Sequence, residues 1–152
     1  GNSPTVYKYN NTHVSDASAT LSLTSIEWDT YTIGVVATST YEIAEACPPQ
    51  PEALTPGSLQ TTTIFVAPAT SHSLVVDVRD TAGALLSGVS VQLAGTSYDE
   101  TQSTSSCGQT YFGGLTAGAY TAAVTKVGYV PGTSGVINVT GDFRASVVLQ
   151  EE

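Results

Sequence analysis

The stretch Leu21-Ser-Leu-Thr-Ser-Ile-Glu-Trp-Asp-Thr-Tyr-Thr-Ile33 returns in altered form as Thr110-Tyr-Phe-Gly-Gly-Leu-Thr-Ala-Gly-Ala-Tyr-Thr-Ala122. In each copy an apolar strand end (Leu23, Phe112) precedes a branched apolar residue (Ile26, Leu115), and a tyrosine (Tyr31, Tyr120) follows at the same spacing to begin the next strand. Apolar and polar residues alternate on both sides of a short turn, the pattern of half-buried antiparallel strands. A repeat of this kind fixes the fold class as all-β and predicts two small antiparallel β-sandwich domains in tandem, 1–69 and 70–152. Each is near the size below which a core needs outside help.

The chain holds four basic residues (Lys8, Arg79, Lys126, Arg144) against thirteen acidic ones, a net charge of −9. Such a surface is repelled by nucleic acid and by anionic lipid headgroups, so no nucleic-acid partner is expected. No apolar run approaches the roughly 20 residues of a membrane span. The many Ser and Thr residues and the two cysteines point to an exported, extracellular or cell-surface protein. No methionine occurs, so Gly1 reads as a processed or trimmed terminus.

In chain order, strands are expected at Thr5–Tyr9, into the Ser15–Ala17 region, at Thr30–Ala37, as a short apolar piece at Tyr41–Ala44, and at Leu59–Val66. Cys47-Pro-Pro-Gln-Pro51 forms a loop and Ala67–His72 a linker. Seven more strands are expected in the second half: Leu74–Arg79, Val89–Leu93, Tyr98–Ser103, Gln109–Phe112, Ala119–Lys126, Val136–Val139 and Phe143–Leu149. No stretch holds a helical period.

The order Leu74-Val-Val-Asp-Val-Arg79, Gly88-Val-Ser-Val-Gln-Leu93, Cys107-Gly-Gln-Thr-Tyr-Phe112, Leu115, Gly118-Ala-Tyr120 and Gly128-Tyr129 resembles a carboxypeptidase regulatory-like domain. That domain is of the prealbumin-like, Ig-like type that includes the B-type repeats of bacterial collagen adhesins. The resemblance covers about Ser73 to Glu152. The first half looks like a divergent copy, with Ile26–Tyr31 and Pro48-Pro-Gln-Pro51 similar to bacterial pilin-like surface proteins. In these families such domains serve as spacers, adhesin stalks and pilus subunits, and the resemblance implies no more than that.

Alignment on the two tyrosines sets Val6–Tyr9 opposite Val89–Leu93 and leaves nothing in the first domain to match Leu74–Arg79. The first domain is therefore expected to lack its opening strand, and with it about three buried apolar side chains worth ~1.5 to 3 kcal/mol each. An open sheet edge over an uncovered core is a template for a strand from another chain. The expected function is a structural subunit of an extracellular filament or pilus, its partner a second copy of itself joined head to tail, with a host or matrix surface as a further partner. Val6, Tyr7 and Tyr9 are the candidate subunit contacts. Neither terminus carries a spare strand, so the donor would be an existing strand, swapped or added at an edge. The alternative is a cell-surface adhesin or glycan-binding stalk module with Trp28 among its stacking platforms.

Cys47 and Cys107 fall one in each half, which allows a bridge within the chain, a bridge between subunits, or two free thiols. His13 and His72 stand alone, Glu27 and Asp29 flank Trp28 at a bend, and the other acids follow no calcium-loop pattern, so no metal, cofactor or catalytic group is expected. Lys8 finds no Asn or Asp on the closing strand for an internal isopeptide bond. Asn10-Asn11-Thr12 and Asn138-Val139-Thr140 fit the glycosylation pattern at Asn10 and Asn138.

Overall fold

The structure, a computed structural model, describes residues 9–152. Val6 and Tyr7 lie outside the described residues. The chain is all-β: the described residues form twelve strands in four sheets, antiparallel but for one pairing, and no helix.

The second half is a complete sandwich. Its strands are β5 (Ser73–Asp80), β6 (Ser90–Gly95), β7 (Tyr98–Ser103), β8 (Gln109–Phe112), β9 (Gly118–Thr125), β10 (Tyr129–Val130), β11 (Gly132–Val139) and β12 (Asp142–Glu151). They form two four-stranded sheets, ordered β10-β12-β5-β8 and β11-β9-β6-β7. Alternation turns Leu74, Val76 and Val78 of β5 inward against Val91, Leu93 and Phe112, and all six are fully buried. The seven strands expected from pattern are all present within a few residues. One pairing is parallel, β5 with β12, where Ser73 lies opposite Asp142 and Asp80 opposite Leu149. Side-chain alternation is the same for either direction, so the pattern carries no sign of it.

The first half has four strands, β1 (Asp29–Tyr31), β2 (Tyr41–Cys47), β3 (Glu52–Leu54) and β4 (Thr63–Pro68), in two-stranded sheets β1-β3 and β2-β4. Three expectations are corrected here. Ser15–Ala17 forms no strand but leads into a turn at Ala17 and Ser18, because the Asp16 carboxylate accepts the backbone N–H of Ser18 and Thr20. The strand expected over Thr30–Ala37 stops at Tyr31, and Ile33 N–H donates to the Gln50 side chain at 2.6 Å in place of a ladder partner. The strand expected from Leu59 begins at Thr63, since Gln60 and Thr62 bond by their side chains to Ala53 and Glu52 and hold the connection out of the sheet.

The two halves share one plan. Tyr31 donates its hydroxyl to the Glu27 carbonyl (2.6 Å), and Tyr120 donates to the Thr116 carbonyl (2.9 Å), each reaching back four residues as in a tyrosine corner. A second tyrosine meets each edge-on, Tyr9 on Tyr31 and Tyr98 on Tyr120, and both pairs keep the same offset of 89 residues. Strand pairing follows suit. Asp29, the counterpart of Gly118, pairs with β3 as Gly118 pairs with β11; Tyr41, the counterpart of Val130, pairs with β4 as Val130 pairs with β12. Sheet β1-β3 thus corresponds to β9-β11, and sheet β2-β4 to β10-β12. Beside β4, where β5 lies in the second copy, the described residues place no strand.

Candidate functional site

Two features of the first half bear on function: the way it is fastened to the sandwich, and the apolar surface it leaves open.

The fastening is built on β2. Its ladder with β4 slips between Ile43 and Glu45, so Ala44 is an extra residue in a bulge. In a regular strand Glu42 and Glu45 would face opposite ways. The bulge restores them to one face, together with Cys47. That face meets β8 and the turn before it. Glu45 accepts from the Ser105 hydroxyl (2.6 Å), and Cys47 closes a disulfide with Cys107, their Cα atoms 5.7 Å apart. Of the three cysteine states the sequence allows, the structure has the bridge within the chain. Between them the buried Gln109 amide donates to the Ala46 carbonyl (2.6 Å), standing in for a strand partner. Cys107 sits in the tight turn that ends at Gly108, whose φ of +66° and packing against Leu85 leave no room for a Cβ.

Glu42 is buried at the other end of β2. Its carboxylate accepts from the Tyr111 hydroxyl (2.5 Å), from Thr70 N–H (3.0 Å) and hydroxyl (2.9 Å), and from the Ser73 hydroxyl (2.9 Å). Burial pushes this carboxyl up, but the hydrogen bonds from Tyr111, Ser73 and Thr70 outweigh it and hold it below the ordinary glutamate value. Tyr111 is pushed up to about 12 by burial and by its bond to Glu42. Asp142 also reaches Ser73 Oγ (3.1 Å), and burial and the neighbouring Glu42 raise it above the ordinary aspartate value against the lowering effect of Ser73. The segment Ala67–His72, expected as a plain linker, instead begins as the end of β4 and is tied down at Thr70. Pattern reasoning missed this cluster because Tyr41–Ala44 reads as an apolar piece, and only the bulge shows which way its glutamate points.

The open surface is read by comparing the two copies. Phe112 is fully buried and its counterpart Leu23 is 40% exposed; Ala122 and Val124 are fully buried, while their counterparts Ile33 and Val35 are 48% and 41% exposed. Phe65 on β4 is 53% exposed. A cleft of about 240 Å³ is lined by Thr32, Ile33, Ile43, Gln50, Pro51 and Arg144, and among the described residues Gln50 Nε2 has no acceptor.

Of the other candidates, Tyr9 lies in no strand, half-buried, its hydroxyl 2.6 Å from His13 Nε2. Asn10 and Asn138 are both exposed, Asn138 on the outward side of β11. Among the described residues no three His, Cys, Asp or Glu side chains gather as a metal site would require, and no helix is long and apolar enough to cross a membrane.

No protein-family model matches the chain, and no curated protein matches it. Among solved structures the Bacillus anthracis TIE protein is similar, at 19% identity and a TM-score of 0.48 over 61% of this chain and 20% of its own. The chain spans a fifth of that protein's length.

Proposed function

We propose that this chain is a structural, non-catalytic subunit of an extracellular filament or pilus, polymerising when a neighbouring copy supplies a strand to the first half, beside β4, where the described residues place none. The reading rests on one observation above all: the first copy keeps the tyrosine corner and strand pairings of the second, yet Leu23, Ile33 and Val35 are exposed where Phe112, Ala122 and Val124 are buried. Apolar side chains exposed at positions that a complete sandwich would cover support a contact site there. A head-to-tail contact between unlike surfaces gives an open filament rather than a closed pair. The internal disulfide suits an oxidising, extracellular setting.

Negative-stain electron microscopy of the protein, before any reductant is added, tests the proposal. Regular fibres are expected. Because Cys47 and Cys107 bridge within one chain, hot detergent without reductant should release single chains, and a ladder of covalent oligomers would contradict the cysteine arrangement. Monodisperse particles of one or two chains at every concentration would sink the filament.

A second reading, a cell-surface adhesin or glycan-binding stalk module, is favoured by Trp28, 64% exposed at a bend between Glu27 and Asp29. Quenching of Trp28 fluorescence by polysaccharides would support it, and an unchanged spectrum would remove it.

A further inference from the structure

Ser73 Oγ stands where the two halves meet, and the hydrogens around it are one short. From the first half Glu42 brings Oε2 to 2.9 Å from this hydroxyl; from the second, Asp142, opposite Ser73 at the start of β12, brings Oδ1 to 3.1 Å. A serine hydroxyl carries one hydrogen and a charged carboxylate none, so with both acids charged only one of these contacts is a hydrogen bond. Glu42 takes it, because the Tyr111 hydroxyl and Thr70 N–H already hold that carboxylate as an anion. With its hydrogen given to Glu42, Ser73 has only a lone pair to offer Asp142, and the second bond needs a hydrogen on Asp142 itself. We infer that this end of the junction between the halves is a proton-operated clasp, closed when Asp142 donates to Ser73 Oγ and Ser73 to Glu42, and loosened when that proton leaves two anions on one hydroxyl.

The groups around Asp142 agree with this. Glu42 on β2 opposes its ionisation, His72 before β5 favours it when charged, and Tyr111 on β8 is neutral in the range concerned. Arg144, two residues along β12, is bonded to Gln109. The clasp is complete between the depressed value of Glu42 and the raised value of Asp142. Below that window Glu42 takes up a proton and accepts more weakly, and above it Asp142 loses the hydrogen it donates. The other end of β2 is held by the Cys47–Cys107 disulfide, so the halves loosen at the Glu42 end alone. The device works in the single chain, whether or not it assembles.

NMR of the full chain with its disulfide intact tests the clasp. Side-chain carbon shifts follow the titrations of Asp142 and Glu42, and hydrogen exchange of Thr70 N–H, corrected for the intrinsic effect of pH, follows the contact. Thr70 protection is expected to fall as pH rises through the Asp142 titration, by the ratio of that carboxyl's acidity constants with the clasp open and closed. Gly108, whose N–H is bonded in the turn at the disulfide end, is expected to keep its protection. Asp142→Asn carries on its amide a hydrogen that no pH removes, and should hold Thr70 protection level through the same range. An Asp142 that titrates at or below the ordinary aspartate value overturns the clasp. So does Thr70 protection that stays level through the Asp142 titration in the parent, or that falls in Asp142→Asn as it does in the parent. A loss at Gly108 equal to that at Thr70 would show the whole fold responding, and overturns it as well.

Discussion

Tyr31 and Tyr120 are the same residue of the same motif in two surroundings. Both hydroxyls reach back to a carbonyl, but Tyr120 is buried and Tyr31 is only half so. Removing the Tyr120 hydroxyl breaks both its bond to the Thr116 carbonyl and the one it accepts from Thr116 N–H, whereas Tyr31 gives up its bond to the Glu27 carbonyl. Tyr120→Phe should cost about 1 to 2 kcal/mol in denaturant unfolding and Tyr31→Phe a few tenths in the single chain. At Glu42 the stakes are higher, since Glu42→Ala strands the Tyr111 hydroxyl and Thr70 N–H at once and leaves the Ser73 hydroxyl only Asp142; a loss of about 2 to 4 kcal/mol is expected by urea titration. Glu42 and Asp142 also oppose one another in pH. The depressed Glu42 carboxyl contributes stability above its unfolded value that is lost as pH falls through its lower folded one. The raised Asp142 carboxyl favours the folded state most below its unfolded value, and that contribution is lost as pH rises through its folded one. Asp142→Asn should therefore raise the melting temperature at neutral pH relative to the parent and lose that advantage in acid; an equal shift at both would show that the carboxyl's charge is not what matters.

At the scale of elements, β2 is the piece on which the arrangement of the two halves depends. One extra residue, Ala44, sets Glu42, Glu45 and Cys47 on the face that meets the sandwich. Deleting Ala44 would return the strand to simple alternation and turn Cys47 away from Cys107, so thiol counting on the folded variant should find two free thiols where the parent has none. The bridge itself closes a separation of 60 residues, worth about 4 kcal/mol in the chain-entropy model. Much of this level was legible beforehand. The strands of the second half follow from alternation and turn residues, and the repeat follows from the spacing of Leu23, Ile26 and Tyr31. What could not be read is what alternation does not encode: the Ala44 bulge, the parallel direction of β5 beside β12, and the side-chain bonds of Asp16, Gln50, Gln60 and Thr62 that end or delay strands in the first half. In that half the core that would hold longer strands is incomplete, so local side-chain bonds decide where they stop.

On the scale of the whole molecule, a complete sandwich is joined through a disulfide and a buried hydrogen-bond cluster to a second copy of its own plan that, among the described residues, has its corner and half of each sheet but not its covered core. The complete copy serves as the template for reading the other. A missing strand of β5 type would bury three apolar side chains, ~1.5 to 3 kcal/mol each, a sizeable fraction of the stability of a small domain. If the chain assembles as proposed, it gains stability, with hydrogen exchange slowing most around Leu23, Ile33 and Val35 and least in β5–β12. The measurement that tests the central claim most directly is electron cryo-microscopy of the assembled protein at a resolution that traces strands. The account predicts density for a strand of a neighbouring copy against the first half, with Leu23, Ile33 and Val35 covered. Fibres joined through other surfaces, with Leu23, Ile33 and Val35 bare, would contradict it.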